Sequence, residues 1–280
     1  MFMATHLVGF GASAAVDLSL YGAITANGLT GNLQLCLDAG DVSSYTGSGQ
    51  SWLDRSGNGY DFYRGAGSGS EASDPTFNGT AGALTSSEYF SVDGGDWFTY
   101  DSANETWMQN LHKDNAAYTI LAILYPGAVN SYQDICGTGA SSAETGFDLA
   151  INGSAKFYLE VDRSSAGSPA ITKTSDSSLS ATTWQFLAVS LNEATGSGGG
   201  FLWRNGAYLQ VGGADTFDST YTSPSTGSAA GTFQIGARGG TQATPLLNGS
   251  RIAGFAAWST ALTKAQLDSI YSQLASRFGL

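Results

Sequence analysis

Leu33, Leu35 and Leu37 alternate with Gln34, Cys36 and Asp38. A side-chain period of two puts one set on each face of an extended chain, the mark of a half-buried strand. Trp52-Leu53-Asp54-Arg55-Ser56-Gly57-Asn58-Gly59-Tyr60-Asp61-Phe62-Tyr63 reads as a second strand entered through a turn, since Ser-Gly-Asn-Gly supplies residues tolerant of positive φ. The pattern then repeats along the chain. Glu88 to Phe98 holds two short strands joined at Asp93-Gly94-Gly95-Asp96, a hairpin or corner. Phe147/Leu149/Ile151 and Phe157/Leu159/Val161 alternate across Asn152-Gly153, which predicts a hairpin with a type I′ turn. Trp184 to Leu191, Phe201 to Leu209 through Asn205-Gly206, Thr232 to Ala237 and Gly249 to Trp258 supply further strands. Ala117 to Tyr125 is apolar on both faces and stops at Pro126, as a strand in the middle of a sandwich would.

The chain closes on a helix. Thr263 with Gln266 three residues on is a capping box, and Leu262 with Leu267 a hydrophobic staple. Leu267, Ile270, Tyr271, Leu274 and Phe278 form one apolar stripe, and Gly279 follows as a cap. A shorter helix is expected around Asn104 to Leu111. Sheets must each bury a face, so short alternating strands separated by turn glycines predict an all-β fold: a two-sheet antiparallel sandwich with a C-terminal helix. The domain is expected to span residues 31–280, preceded by an arm, residues 1–30.

Charge narrows the function. The 280 residues carry 11 Lys+Arg against 23 Asp+Glu, a net charge of −12 with no basic run, which repels nucleic-acid backbones and anionic lipid. Neither nucleic acid nor a membrane is an expected partner; no apolar run approaches the roughly 20 residues that cross a bilayer. Charged residues are 12 % of the chain, so solubility leans on Ser, Thr, Asn and 38 glycines. Cys36 and Cys136 read as two buried free thiols, with a bridge left open. Leu7 to Val16 is mildly apolar and Ala12-Ser13-Ala14 resembles a cleavage site, yet no basic segment precedes it. The expectation is a retained arm docked on a neighbouring subunit; the alternative is a strand folded back on its own domain.

Several of these segments carry a family likeness. The acidic strand end at Asp38, the Trp-anchored Asp54-Arg55-Ser56-Gly57-Asn58-Gly59 corner, Phe90-Ser91-Val92-Asp93-Gly94-Gly95-Asp96-Trp97, the Trp184 strand before the Asn205-Gly206 hairpin, and Trp258-Ser259-Thr260-Ala261-Leu262-Thr263 resemble laminin-G-like, concanavalin A-like jelly-roll domains. The resemblance covers most of the chain. It also extends to single-domain bacteriophage virion proteins, and implies a non-enzymatic structural role as a capsid decoration or a tail or fibre component. Its partners would be further copies of itself, a trimer being one such assembly, other virion proteins and host surface glycans. The alternative is a secreted bacterial carbohydrate-binding lectin module or a glycoside hydrolase.

The candidate chemistry is sparse. Asp54, Ser56, Asn58 and Asp61 have the oxygen spacing of half a calcium loop, but Gly65 stands where the closing acid belongs. Turn capping by these side chains is the favoured reading, with calcium completed by Asp38 or Asp41 as the alternative and no other cofactor expected. Glycanases in the wider group use Glu-x-Asp-x-x-Glu on a strand; Glu160-Val161-Asp162 has the first two acids and lacks the third. His6 and His112 have no nucleophile motif around them, so no catalytic residue is assigned. For sugar stacking, Trp97 and Trp107 are the expected exposed platforms, while Trp184, Trp203 and Trp258 are expected in the core.

Overall fold

A computed structural model describes residues 16–139, 145–162, 171–193, 199–210 and 227–280. The first sheet runs in the spatial order β14 (Ala207–Tyr208), β13 (Gly200–Arg204), β12 (Gln185–Asn192), β7 (Ala117–Tyr125), β16 (Arg251–Trp258), β5 (Tyr89–Ser91) and β4 (Thr76–Asn78). β1 (Leu33–Asp38) also pairs with β16, from Leu33 opposite Trp258 to Asp38 opposite Gly254. The second sheet runs β11 (Ile171–Ser178), β10 (Lys156–Asp162), β9 (Gly146–Ile151), β8 (Gln133–Gly137), β15 (Gln234–Ile235), β6 (Phe98–Tyr100), β3 (Phe62–Arg64) and β2 (Ser51–Trp52). Neighbouring strands are antiparallel throughout. The fold is thus the antiparallel sandwich that the alternation predicts.

Alternation decides what fills it. Leu35, Leu37, Phe90, Leu124, Leu187 and Phe255 from the first sheet meet Trp52, Phe62, Phe98, Phe147, Leu149 and Leu159 from the second in one buried core. A second core lies on the far side of the first sheet. There Cys36, Ile123, Phe186, Trp203 and Trp258 are covered by α1 (Leu20–Ala26) and α3 (Lys264–Leu274), through Leu20, Ile24, Leu267, Ile270 and Leu274. β7 is apolar on both faces because it lies between these two cores, as expected for a central strand.

The helix layer is tied down at both ends. Thr263 and Gln266 form the predicted capping box, and Gly279 takes the left-handed conformation (φ 69°) after a 3₁₀ turn, Ala275–Phe278. Arg277 in that turn meets Asp38 at the end of β1 through two bonds, Nη1 to Oδ2 at 2.7 Å and Nη2 to Oδ1 at 2.8 Å, and both side chains are buried. Asp38 also accepts from the backbone N–H of Leu20, at the start of α1. Gly40 lets the guanidinium in: a Cβ there would stand 2.2 Å from Arg277 Nη2.

Three expectations change and one open alternative is resolved. β1 is buried on both faces, because α1 and α3 cover the side that the polar alternation assigned to solvent. The segment assigned to an arm divides: residues 1–15, with His6 and most of the Leu7 to Val16 run, lie outside the described residues, whereas Ser19 caps α1 and Leu20, Ala23 and Ile24 are fully buried in the domain. The Asn152-Gly153 turn is not type I′. Ala155 takes the left-handed conformation (φ 62°), while Asn152 Oδ1 accepts from the N–H groups of Ser154 and Lys156 and so closes a longer loop. The Asp93–Asp96 segment, open between hairpin and corner, is a corner: β5 and β6, on either side of it, belong to different sheets. The Asn205-Gly206 hairpin forms with both residues at positive φ, 47° and 86°. Cys36 and Cys136 are buried and unbridged, as expected.

Candidate functional site

The Asp54 turn spends its oxygens on its own backbone. Asp54 Oδ1 accepts from the N–H groups of Cys36 (2.9 Å) and Ser56 (2.8 Å), and Oδ2 from Tyr60 N–H. Asp61 Oδ1 accepts from Asp54 N–H, and Asn58 Nδ2 donates to the carbonyls of Leu33 and Gln34. Asp41 pairs with Arg55 at 2.9 Å, and Asp38 is held by Arg277. The cluster therefore works as a corner brace that fixes β1 against the turn. Among the described residues no group of three His, Cys, Asp or Glu is placed to hold a metal ion.

The outer face of the second sheet gathers the acids. Glu160 on β10 stands directly opposite Asp148 on β9, and Asp134 on β8 lies one position along, opposite Ala150. Tyr132 Oη donates to Asp148 (2.7 Å), Tyr158 Oη to Glu160 (2.6 Å), and Thr244 Oγ1 to Asp134. Arg238 reaches both Asp134 (3.5 Å) and Asp148 (3.9 Å). Asp134, Asp148 and Asp162 are fully buried. Burial, then the charge of Asp134, pushes the Asp148 carboxyl well up; burial, then Glu160, lifts Asp162 to about 7. The array is a set of mostly buried acids held by Tyr132, Tyr158, Thr244 and one arginine. A carboxylate pair that cleaves a glycoside must reach the bond from both sides; here only Glu160 is partly exposed.

The third place is a cleft of about 560 Å³ between α2 (Thr106–Asn110), the chain that follows it, and the ends of β1 and β16. α2 is shorter than the predicted Asn104 to Leu111 because only Met108, Leu111 and the ring of Trp107 find core to pack on. Asn104 anchors it by donating to Gly231 O (2.7 Å) and accepting from Phe233 N–H (2.7 Å). Asn115, at φ 59°, swings the chain back into β7. The walls carry the polar ends of Gln34, Asn110, Asp114, Asn115 and Ser259. Gln34 donates to Ser259 Oγ at 3.0 Å, which fixes one wall.

Two tryptophans line it. Trp258 is spent on structure, its ring N–H donating to Leu29 O at 2.8 Å. Trp107 is 7 % exposed and packs its ring on Phe233 (5.7 Å), so it is a cleft wall and not the exposed platform expected of it. Trp97 is half-buried and donates to Thr99 Oγ1. Trp184, Trp203 and Trp258 are in the core as expected, and His112 is buried with Nε2 at 3.1 Å from Gly227 O. An indole wall ringed by amides, hydroxyls, the Lys113 ammonium and the Asp114 carboxylate suits hydroxyl-rich ligands. Neither the cleft nor the Asp134–Asp148 pair was legible in the sequence. Asp148 does alternate with Phe147 and Leu149, which placed it on the same kind of outward face as Glu160.

A family profile described as the concanavalin A-like lectin/glucanases superfamily matches residues 93–268, more than half of the chain. No curated protein matches it. Among solved structures it is similar in fold to Trypanosoma rangeli sialidase in complex with sialic acid, at 13 % identity and TM-score 0.54, over 98 % of this chain and 36 % of that one. It is also similar to the botulinum neurotoxin serotype D binding domain, at 13 % identity and TM-score 0.55, over 89 % of this chain and 52 % of that one. A structure of the type C neurotoxin, whose cell entry is described as dependent on two ganglioside molecules, aligns at 12 % identity and TM-score 0.56, over 88 % of this chain and 52 % of that one. The chain thus spans about a third of the sialidase and half of the toxin chains, and at these identities the likeness is one of fold. Taken with the two antiparallel sheets and the terminal helix, the profile match settles the family: the chain belongs to the concanavalin A-like lectin/glucanases superfamily.

Proposed function

We propose that this chain is a non-catalytic contact protein, a lectin-like structural component of a bacteriophage virion that holds surface glycans in the cleft beside α2. One observation carries the glycan reading: the cleft joins the Trp107 wall to the amides of Gln34, Asn110 and Asn115 and to Asp114, groups that recognise sugar hydroxyls. The acids of the second sheet support binding over turnover, since Asp134, Asp148 and Asp162 are buried and only Glu160 is partly exposed. Two of the fold neighbours are described with sialic acid or gangliosides, which fits the same class of ligand. The virion part rests on the sequence resemblance and on the acidic, glycine-rich, sparsely charged composition.

The test has two arms. Oligosaccharide titration followed by NMR should move resonances at the cleft, and Gln34→Ala with Asn110→Ala should weaken binding about tenfold while the fold stays intact, for these side chains are surface groups. Antibodies against the chain should label intact phage particles in the electron microscope. Labelling of cell-free secreted protein with bare particles would favour the secreted lectin instead.

A further inference from the structure

Most described cations of this acidic chain meet a protein oxygen. Arg55 pairs with Asp41, Arg238 with Asp134 and Asp148, Lys264 with Asp268 and Arg277 with Asp38, while Arg64 and Arg204 donate to carbonyls. Arg251 differs. It is the first residue of β16, directly opposite Ser91 on β5 and Tyr125 on β7, on the side of the sheet that carries the helix layer. Its guanidinium lies 4.3 Å from the ring centroid of Tyr125 and 4.7 Å from that of Tyr89. Among the described residues no carboxylate and no hydrogen-bond acceptor engages it.

The two rings are themselves held. Trp184, buried against Phe278, packs edge-on against Tyr125 (5.5 Å) and Tyr89 (6.0 Å). Trp184 also lines a shallow cavity of about 350 Å³ whose charged wall is Arg204. Arg251, Tyr89 and Tyr125 are all part-exposed. The guanidinium is therefore fixed in position by stacking, with its planar fork of donors unspent, inside an aromatic frame.

We propose that Arg251, framed by Tyr89 and Tyr125, is a subsite for the carboxylate of an acidic sugar. A carboxylate takes two parallel N–H···O bonds from such a fork, and the side-chain entropy is already lost in the free protein. The site goes beyond the cleft reading and shares with it only that the ligand is a glycan; an acidic oligosaccharide extending past Trp184 would next meet Arg204.

The probes are sialyllactose and a glucuronate-bearing tetrasaccharide, each titrated into the intact chain beside its neutral counterpart, lactose or chitotetraose. The acidic member should bind at least about tenfold more tightly, a factor equal to about 1.4 kcal/mol, and the advantage should shrink with added salt. Arg251→Gln should abolish the advantage and leave neutral binding unchanged. Arg251→Lys keeps the charge and the stacking but lacks the fork, and should recover only a minor part. Equal binding of acidic and neutral sugars by the wild type, or an advantage that survives Arg251→Gln, would overturn the subsite. Neutral binding lost on Gln34→Ala while this subsite fails leaves the cleft standing. An Arg251-dependent preference for acids with an inert cleft does the reverse.

Discussion

Replacing Arg277 with methionine leaves Asp38 charged and buried with only the backbone N–H groups of Leu20 and Gly40, both at 2.8 Å, to hold it. Replacing Asp38 with alanine leaves the guanidinium with the carbonyls of Leu18 (3.1 Å) and Thr85 (3.2 Å). Removing one partner of a buried pair costs about 3–5 kcal/mol. In a chain of 280 residues that is about 2 °C of melting temperature per kcal/mol, hence a fall of roughly 6–10 °C for either variant. The pair joins three elements distant in sequence, so the two losses should not add. The double variant buries no lone charge, and its loss should be smaller than the sum of the singles by at least about 2 kcal/mol. Urea unfolding of the four proteins, followed by tryptophan fluorescence, measures the cycle directly. An Arg277→Met loss below about 1 kcal/mol, the scale of a surface pair, would refute the reasoning, as would single losses that simply sum.

Acidity should stabilise the domain. Asp162 and Asp96 are raised to about 7 and about 6 by burial, and Asp148 is pushed up with them. A carboxyl with a raised folded value binds its proton more tightly when folded, so its contribution is complete below about pH 4, the unfolded value, and is lost as pH rises through 6 and 7. Unfolding free energy measured at pH 4.5, 6 and 8 should therefore fall with pH, and Asp162→Asn should flatten the fall between pH 5 and 8; an unchanged slope would contradict it. At the β9–β10 loop, Ala155 holds a left-handed conformation that glycine adopts freely, so Ala155→Gly should leave stability unchanged or raise it by up to about 1 kcal/mol in the same assay. A loss of more than that would mean the loop is not strained.

How far these features could be read from the chain varies with their physics. Local rules hold at two places and fail at a third: Asn205-Gly206 has the two positive-φ residues of a tight hairpin and Thr263 with Gln266 caps α3 by itself, whereas at Asn152-Gly153 the positive φ falls on Ala155. Where distant packing decides, the reading fails. Residues Leu20–Ala26 contain Gly22 and the β-branched Ile24 and Thr25, poor helix formers, and no acid in the first turn. They are helical because Leu20, Ala23 and Ile24 fill the space between β1 and α3, and because Asp38 accepts from Leu20 N–H. The same layer explains why Cys36 and Asp38 are buried although alternation sent them outward. The acid array needed the register of β8, β9 and β10 before Asp148 met both Asp134 and Glu160. The ring frame around Arg251 needed β5, β7 and β16 side by side.

The central claim is contact without turnover, and one measurement confronts it. The intact chain incubated with a panel of reducing-end-labelled oligosaccharides should retain them reversibly, with cleft resonances shifted and every substrate recovered uncut. Release of shortened sugars that disappears in Glu160→Gln would contradict the account, for it would make the acids of the second sheet a catalytic pair.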